Sequence, residues 1–263
     1  MSPGGISSEA ALLVGSLPRG EADSLVRLFT PGHGALNLLA RGLRRPGSKL
    51  AGQLKPADEL QISAAAGRGG GMLILTGASS RREHRNWQQD LQLLSLYWFM
   101  LECSWLASAD DGSNADGYRL VVNLLRSEPA AEARCALASV FCIRFLGLHG
   151  MLPDLFHDED SGEPLEGDVL CRPSFEGLLD AAVLQRGMPE YGLIRISRER
   201  LRCWRRLQSR PLLDYPEEAC SIEDVRLLLE FTRRHVASLA GSSLRSADFM
   251  AGQWKLGGST REP

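Results

Sequence analysis

The spacing of the hydrophobic positions changes near residue 81. Before that point, short apolar runs alternate with turns rich in Gly and Pro, a pattern typical of antiparallel strands. The pattern predicts five strands, at residues 9–17, 23–30, 35–40, 59–64 and 72–77. Five short strands within about 70 residues fit a small closed sheet, and the OB-fold is one such barrel among other possibilities.

After residue 81 the spacing becomes helical. The segment 86–107 carries large apolar side chains three or four positions apart, which is the period of an α-helix. Further helices are predicted at residues 118–126, 130–148, 175–186, 198–209 and 222–239. Ser221 and Asp224 have the spacing of a capping box at the start of the last helix, and Gly241 suits its end. The sequence therefore predicts an α+β protein, with a strand module followed by an all-helical module.

The charge of the chain is unevenly distributed, although the net charge of the 263 residues is only −2. Residues 1–85 contain eleven Lys and Arg against six Asp and Glu, a net of +5. The remainder contains nineteen against twenty-six, a net of −7. A basic first part and an acidic second part predict two modules with different partners.

The six cysteines form no Cys-x-x-Cys pair, as expected for a reducing compartment. The first residues lack the pattern of a secretory signal. The longest apolar run, at residues 91–106, is interrupted by polar side chains and is too short to span a bilayer. We therefore expect a cytoplasmic protein without a membrane partner.

Residues 19–56 carry seven cations against two acids. A hairpin is predicted at residues 23–40, and the loop at residues 41–49 follows it. Four cations stand on the nine residues of this loop, and its Gly and Pro residues oppose a helix. Such a loop is either an ordinary solvated loop or a contact for a phosphate backbone.

Four segments of the chain resemble motifs of one family. Residues 20–30, followed by Gly32-His33-Gly34, are similar to a strand pair with the pattern GEAD…LFT…HG. Residues 40–50 are similar to a loop with the pattern AKGARRPKSRL. Residues 145–155 and 244–246 resemble a helix end, LLGYAPDL, and a C-terminal LKS. The four come in the same order over residues 9–250, and together they resemble the RecO family of bacterial recombination mediators.

The resemblance to RecO implies an N-terminal five-stranded OB-fold barrel at residues 1–80 and an all-helical C-terminal domain at residues 81–263. It implies a DNA repair and recombination protein that binds single- and double-stranded DNA and anneals complementary strands. The implied partners are RecR and the C-terminal tail of the single-stranded-DNA-binding protein. With them the protein would help to load RecA onto coated strands, in association with the nucleoid.

The resemblance implies no catalytic reaction and no cofactor, and no catalytic constellation in the sequence supports an enzyme. An alternative is a protein-interaction scaffold of the same pathway with weak or no DNA binding. The acidic second part of the chain and the loss of zinc ligands described below favour that alternative.

Two groups of residues are the candidate contact sites. Phe29 is the only aromatic residue before position 81, so we expect a mostly electrostatic and sequence-tolerant DNA contact. Its predicted residues are Arg19, Arg27, Arg41, Arg44, Arg45, Lys49, Arg68 and Arg81. The helix at residues 198–209 has an Arg-rich face, which is a solvated face, a second DNA contact, or a dock for an acidic tail. Its predicted partner-binding residues are Arg198, Arg202, Trp204, Arg205 and Arg206.

Many RecO relatives carry a zinc site made of two Cys-x-x-Cys pairs. The matching positions in this chain are Asp158, Ser161, Cys171 and Ser174, so three of the four thiolates are absent. A makeshift set would combine His157, Asp158, Asp160 and Cys171, whereas a structural zinc site needs four closed ligands, mainly Cys and His. We therefore predict no metal, and a degenerate zinc-site loop at about residues 151–175 that is held by packing alone.

Overall fold

The structure is a computed structural model, and it confirms the α+β class. It describes residues 5–67, 72–108, 112–127, 133–172, 175–186, 192–212, 220–241 and 243–255. The chain divides into two compact units, the first at residues 1–128 with 244–254 and the second at residues 129–243 with 255–263. Among the described residues, no helix combines the length and the apolar character needed to cross a bilayer.

Five strands form a closed barrel in the first unit, in the order β1-β2-β3-β5-β4. Strand β3 lies parallel to β5 and is bridged to it at Leu39 and Ile74, and the other pairs are antiparallel. Each predicted strand overlaps an observed one, although β5 continues beyond its predicted end. The strands are β1 (Ile6–Arg19), β2 (Asp23–Thr30), β3 (Gly34–Ala40), β4 (Glu59–Ala65) and β5 (Ile74–Arg82).

The barrel closes because β1 is long enough to pair with two neighbours. Its first half pairs with β4 and its second half pairs with β2. The register shifts between Leu13 and Gly15, and an irregularity of this kind bends a strand and increases its twist. Alternate positions of the strands point inward, and side chains such as Val26, Leu28 and Leu38 form a fully buried apolar core.

The helices are α1 (Lys49–Gln53), α2 (Arg85–Gln89), α3 (Leu91–Ala107), α4 (Ala115–Leu125), α5 (Arg134–Leu148), α6 (Arg198–Ser209), α7 (Ile222–Ala240) and α8 (Arg245–Gln253). The helix predicted at residues 86–107 is observed as two, α2 and α3. The reason is Asp90, whose Oδ1 accepts from the backbone N–H groups of Gln92 and Leu93 at 3.0 and 3.1 Å. This side chain caps the N-terminus of α3 and so starts a new helix.

Helices α2, α3, α4 and α8 belong to the same compact unit as the barrel. Tyr97 of α3 donates its hydroxyl to the carbonyl of Leu13 in β1 at 2.9 Å. Helix α8 packs on α3, where Trp254 donates from Nε1 to the carbonyl of Gln92 at 3.1 Å. The compact units therefore differ from the predicted division at residue 80, because buried side chains join these helices to the barrel.

The second unit contains a small sheet as well as helices, so the prediction of an all-helical second part is wrong. Three short antiparallel strands lie in the order β7-β6-β8: β6 (Val169–Cys171), β7 (Leu178–Asp180) and β8 (Ile194–Ile196). The helix predicted at residues 175–186 is replaced by β7 and a 3₁₀ helix at Ala181–Arg186. Leu178 and Leu179 are adjacent and both buried. A short apolar run of this kind fits a strand as well as a helix.

Candidate nucleic-acid interface

The basic turn, residues 41–48, connects β3 to α1 and is fixed to the barrel. The side chain of Leu43 is buried in the barrel core. The backbone N–H of Gly42 donates to Asp23 Oδ1 at 2.7 Å, and the N–H of Arg44 donates to the carbonyl of Ala22 at 2.9 Å. Gly42 has a φ of 65°, a conformation that suits glycine. The position of the turn is thus set by an apolar anchor and by hydrogen bonds to the β1–β2 hairpin.

The cations of the basic turn face solvent while the turn itself is held. Arg41, Arg44 and Arg45 are exposed, as is Lys49 at the start of α1. Arg44 Nη1 donates to the carbonyl of Gly20 at 3.1 Å, which orients its side chain toward the hairpin. Within the described part of the chain, none of these four cations forms an ion pair with a carboxylate. Their charge therefore remains open to an external anion.

Arg19 lies at the same end of the barrel as the basic turn. It ends β1 opposite Asp23, the residue that holds Gly42. The register aligns Pro18 with Ser24 and Ser24 with Ala40 across three strands. Arg19 and Arg41 follow that row directly, so their backbones are about 10 Å apart, two strand spacings. Arg68 was predicted at the β4–β5 connection and lies outside the described residues.

Two predicted cations lie away from this end of the barrel. Arg27 is in the middle of β2, with its guanidinium carbon 5.1 Å from the centre of the Trp105 ring. Arg81 is near the end of β5. Its neighbour Arg82 lies opposite Glu59 in the register of β5 with β4. Glu59 in turn accepts from Arg126 after α4, at 2.8 Å. The structure therefore brings Arg19 together with the cations of the basic turn, and places Arg27 and Arg81 beside helices.

Aromatic side chains that sequence reasoning assigned to the helical part lie against the barrel. An open groove of about 380 Å³ lies between β1, β2, α3 and α8. Its lining includes Arg27, Trp98, Trp105, Arg245 and Phe249. Trp98 and Trp105 are seven positions apart, a spacing that places them on one face of the helix. No local pattern in the strands indicates that this helix face borders Arg27.

Phe29, the aromatic residue of the strand module, does not contribute to the basic end. Its side chain is fully buried, and its ring centre is 5.8 Å from that of Tyr118 in α4. Stacking by Phe29 on a base is therefore excluded in this structure.

The basic helix α6 begins as predicted, but its side chains divide between core and surface. Trp204 is fully buried, 6.1 Å from the ring of Phe175. Arg205 donates from Nε to the carbonyl of Leu155 at 2.7 Å and from Nη2 to the carbonyl of Leu165 at 2.8 Å. Of the predicted partner-binding residues, only Arg198, Arg202 and Arg206 are exposed.

The positions that match the family's zinc ligands form hydrogen bonds to each other and to the backbone. Asp158 Oδ1 accepts from Ser161 Oγ at 2.9 Å and from Ser161 N at 2.8 Å. Its Oδ2 accepts from the backbone N–H of Asp180 at 2.6 Å. Burial raises the pKa of the Cys171 thiol to about 12, which opposes the thiolate that a metal requires. The described residues contain no group of three or more His, Cys, Asp or Glu side chains that could hold a metal ion.

The expectation that packing alone holds this loop is therefore incomplete, because the Asp158 hydrogen bonds hold it too. Ser174 lies outside the described residues.

The fold and this geometry define an α+β protein whose barrel presents at one end a cluster of exposed cations, none of them paired with a carboxylate of the described residues. The family model described as Recombination protein O N terminal matches residues 5–99. Relatives named "DNA repair protein RecO" are found in Myxococcus xanthus and Dehalococcoides mccartyi. The first is 28% identical, with 92% of this chain and 95% of that protein covered. The second is 26% identical, with 55% of this chain and 56% of that protein covered.

A further relative with the same name, from Heliobacterium modesticaldum, is 30% identical over 59% of this chain. The matches to the Dehalococcoides and Heliobacterium proteins span about half of those proteins' length, 56% in each case. The chain is thus similar to RecO proteins, over residues 5–99 in the family model and over most of its length in the Myxococcus relative.

Proposed function

We propose that this protein acts in DNA repair and recombination by binding DNA through its barrel and annealing complementary single strands. The observation that carries the proposal is the cluster of exposed cations at one end of the barrel, held at the basic turn and paired with no carboxylate of the described residues. The names of its relatives place them in DNA repair. We propose a binding and mediator role without catalysis.

The strand order supports assignment of the barrel as an OB-fold. Five strands in the order β1-β2-β3-β5-β4 form a small closed sheet, and OB-folds bind oligonucleotides on one face and on the loops after the first and fourth strands. Here the β1–β2 connection follows Arg19, and the basic turn packs against it through Ala22. The cations therefore stand beside a loop that this fold uses for nucleic acids.

The proposed mechanism is electrostatic. Arginine side chains bind phosphate groups in a planar, two-pronged geometry, and neutralised phosphates on two strands repel each other less. Because the basic turn offers charge and no aromatic side chain, the contact should tolerate any base sequence. Annealing of arbitrary complementary strands needs that tolerance.

We further propose that the protein works with RecR, and that it helps to load RecA onto strands coated by the single-stranded-DNA-binding protein. The resemblance of the sequence to RecO motifs supports these partners. An acidic tail of the coating protein would meet the exposed cations of α6, Arg198, Arg202 and Arg206, whereas the buried Trp204 and the hydrogen-bonded Arg205 would hold the helix in place.

The test is a comparison of two variants that carry the same net charge. In one, Arg44→Glu and Arg45→Glu reverse two charges of the basic turn. In the control, Arg119→Glu and Arg226→Glu reverse the charges of two exposed arginines that lie next to acidic side chains on α4 and α7. Fluorescence anisotropy with a labelled single strand at low salt should show a loss of at least tenfold in affinity for the first variant only.

Equal affinity of the two variants would reject the basic turn as the DNA contact. Absence of binding by the parent protein at low salt would reject the DNA-binding function, and would favour the alternative of a protein-interaction scaffold in the same pathway.

A further inference from the structure

The groove on the outside of the barrel combines aromatic faces with cations. It lies within the first unit, between the strand segment 14–17 and helices α3 and α8. Trp98 and Trp105 are half-buried, and Phe249 is 42% exposed, so part of each ring is accessible. The volume of about 380 Å³ is in the range of sites that hold small organic groups, roughly 300–1,000 Å³.

Two buried donors at this groove have no acceptor in the described part of the chain. They are Nε of Arg27 and the indole Nε1 of Trp105. The Arg27 guanidinium lies 5.1 Å from the Trp105 ring centre, so the two donors belong to one cluster. Buried donors are normally satisfied, but both atoms are shielded from solvent, so an acceptor in the groove reaches them only when the Arg27 or Trp105 side chain turns toward it.

The charges around the groove favour a base over an acidic peptide. Arg27 and Arg245 are cationic, and Glu102 supplies a carboxylate whose Oε2 accepts from the backbone N–H of Ser246 at 2.8 Å. A peptide carboxylate placed among these rings would be repelled by Glu102. A nucleobase is uncharged, can stack on the accessible parts of the aromatic rings, and can donate its amino or imino hydrogens to Glu102.

The groove also continues toward the cationic end of the barrel. Leu17 of β1 lines the groove, and Arg19 is two residues further along the same strand, roughly 7 Å away at the rise of a β-strand. A DNA strand whose phosphates contact Arg19 and the basic turn therefore reaches the groove without leaving the surface of the first unit.

We propose that this groove binds an unstacked base of single-stranded DNA, with the base on the aromatic side chains and a flanking phosphate near Arg27 or Arg245. The proposal rests on the proposed DNA-binding function and adds a stacking site to it. It also changes the expectation of a mostly electrostatic contact, because base–aromatic stacking would contribute a part of the binding free energy that salt does not screen.

The first test uses tryptophan fluorescence, because the indole environments separate the groove from the core. Trp87 and Trp204 are fully buried and Trp254 is 4% exposed, so a ligand in the groove should mainly affect Trp98 and Trp105. An oligonucleotide of thymidines should quench the emission. An abasic strand of the same length and charge should bind, as seen by anisotropy, without quenching and with about tenfold lower affinity.

The second test changes the groove at two positions, filling it at Gly15 and removing an aromatic ring at Phe249, without disturbing the barrel. Gly15 lies opposite Arg27 in the sheet, and a Cβ added at Gly15 meets no atom within 4 Å. Gly15→Leu and Phe249→Ala should each reduce affinity for the thymidine strand by about tenfold or to the level of the abasic strand. The control is Leu91→Ala, which removes an exposed apolar side chain of α3 that does not line the groove.

Equal affinities for the thymidine and abasic strands, or full affinity in Gly15→Leu, would overturn the stacking site while leaving the DNA-binding function intact. Quenching by an acidic peptide that competes with the thymidine strand would also overturn it, in favour of a peptide site. Failure of the parent protein to bind either strand would instead reject the proposed function itself.

Discussion

Arginine side chains of this protein have two different roles, and their hydrogen-bond partners distinguish them. Arg205 is bound to the carbonyls of Leu155 and Leu165, with its guanidinium 5.0 Å from the centre of the Phe156 ring. The adjacent Arg206 is exposed. One arginine of α6 thus holds the neighbouring loop, and the next presents its charge to solvent.

We expect Arg205→Ala to lower the free energy of unfolding by about 2 kcal/mol, because two buried carbonyls lose a charged donor. Arg206→Ala, the matched control one residue away, should change it by less than about 0.5 kcal/mol. Urea denaturation of the parent and both variants measures the difference. Similar losses in the two variants would show that the Arg205 hydrogen bonds do not stabilise the fold.

Asp158 replaces a metal ligand with a set of hydrogen bonds, and its carboxylate charge is part of that set. Burial raises the pKa of this carboxyl, but hydrogen bonds from the backbone of Asp180 and from Ser161 outweigh burial and lower its pKa below the ordinary 3.8. A folded-state pKa below the unfolded value stabilises the fold above the unfolded pKa. That contribution is lost as the pH falls through the folded pKa.

Asp158→Asn should therefore lower the free energy of unfolding at pH 7 by about 1–3 kcal/mol, since its amide hydrogens face N–H donors. The gap between parent and variant should shrink below about pH 4 as Asp158 of the parent becomes protonated. Urea denaturation at several pH values measures the gap. A gap independent of pH, or a parent protein stabilised by added zinc at neutral pH, would contradict this account of the loop.

At the scale of elements, the bounds of a strand or helix could be predicted where the spacing of its apolar residues is regular. The strand pair around residues 31–33 and helix α6 were predicted at the observed bounds or within one residue. Both have clear periodicity and explicit turn or capping residues. The sheet of β6, β7 and β8 was missed, because each strand has three residues and alternation cannot show over so short a length.

The packing of helices also brings two cysteines together, although nothing in the sequence indicates that they are neighbours. Cys203 of α6 and Cys220, which precedes α7, have their sulfur atoms 3.4 Å apart and are both buried. Donation from the Cys220 thiol lowers the pKa of Cys203, so Cys203 is the thiol that ionises first. A thiolate next to a second thiol is the arrangement that forms a disulfide when an oxidant accepts two electrons and two protons.

Diamide should therefore convert Cys203 and Cys220 into an intramolecular disulfide before it modifies Cys142, whose pKa burial raises to about 12. Mass spectrometry of a tryptic digest should find one new link, with loss of two hydrogens. The variant Cys203→Ser should give no such link. A first disulfide between any other cysteines would show that the two sulfur atoms are not neighbours in solution.

At the scale of the whole molecule, the candidate site was predictable only where it is local in sequence. The cations of the basic turn and Lys49 stand within nine residues, and the pattern of Gly and Pro around them indicates an exposed loop. The groove combines residues from positions 14 to 249. Its assembly depends on α8 packing against α3, which no periodicity in the sequence reveals.

The net charge of −2 does not predict DNA binding, so the proposed contact must arise from charge that is concentrated locally. Four exposed cations in the basic turn and at its border, together with Arg19, should engage about four phosphates. For single strands the logarithm of the binding constant falls by about 0.7 per phosphate with each tenfold rise in salt. A titration from low to physiological salt should therefore give a slope of roughly −3 for the thymidine strand, and a similar slope for the abasic strand, because both carry the same phosphates.

Arg44→Glu with Arg45→Glu should reduce the slope by at least about 1.4, whereas Phe249→Ala should lower affinity at every salt concentration and leave the slope unchanged. A slope near zero for the parent protein would contradict an electrostatic contact at the barrel end, and a changed slope in Phe249→Ala would show that the groove contributes charge rather than stacking.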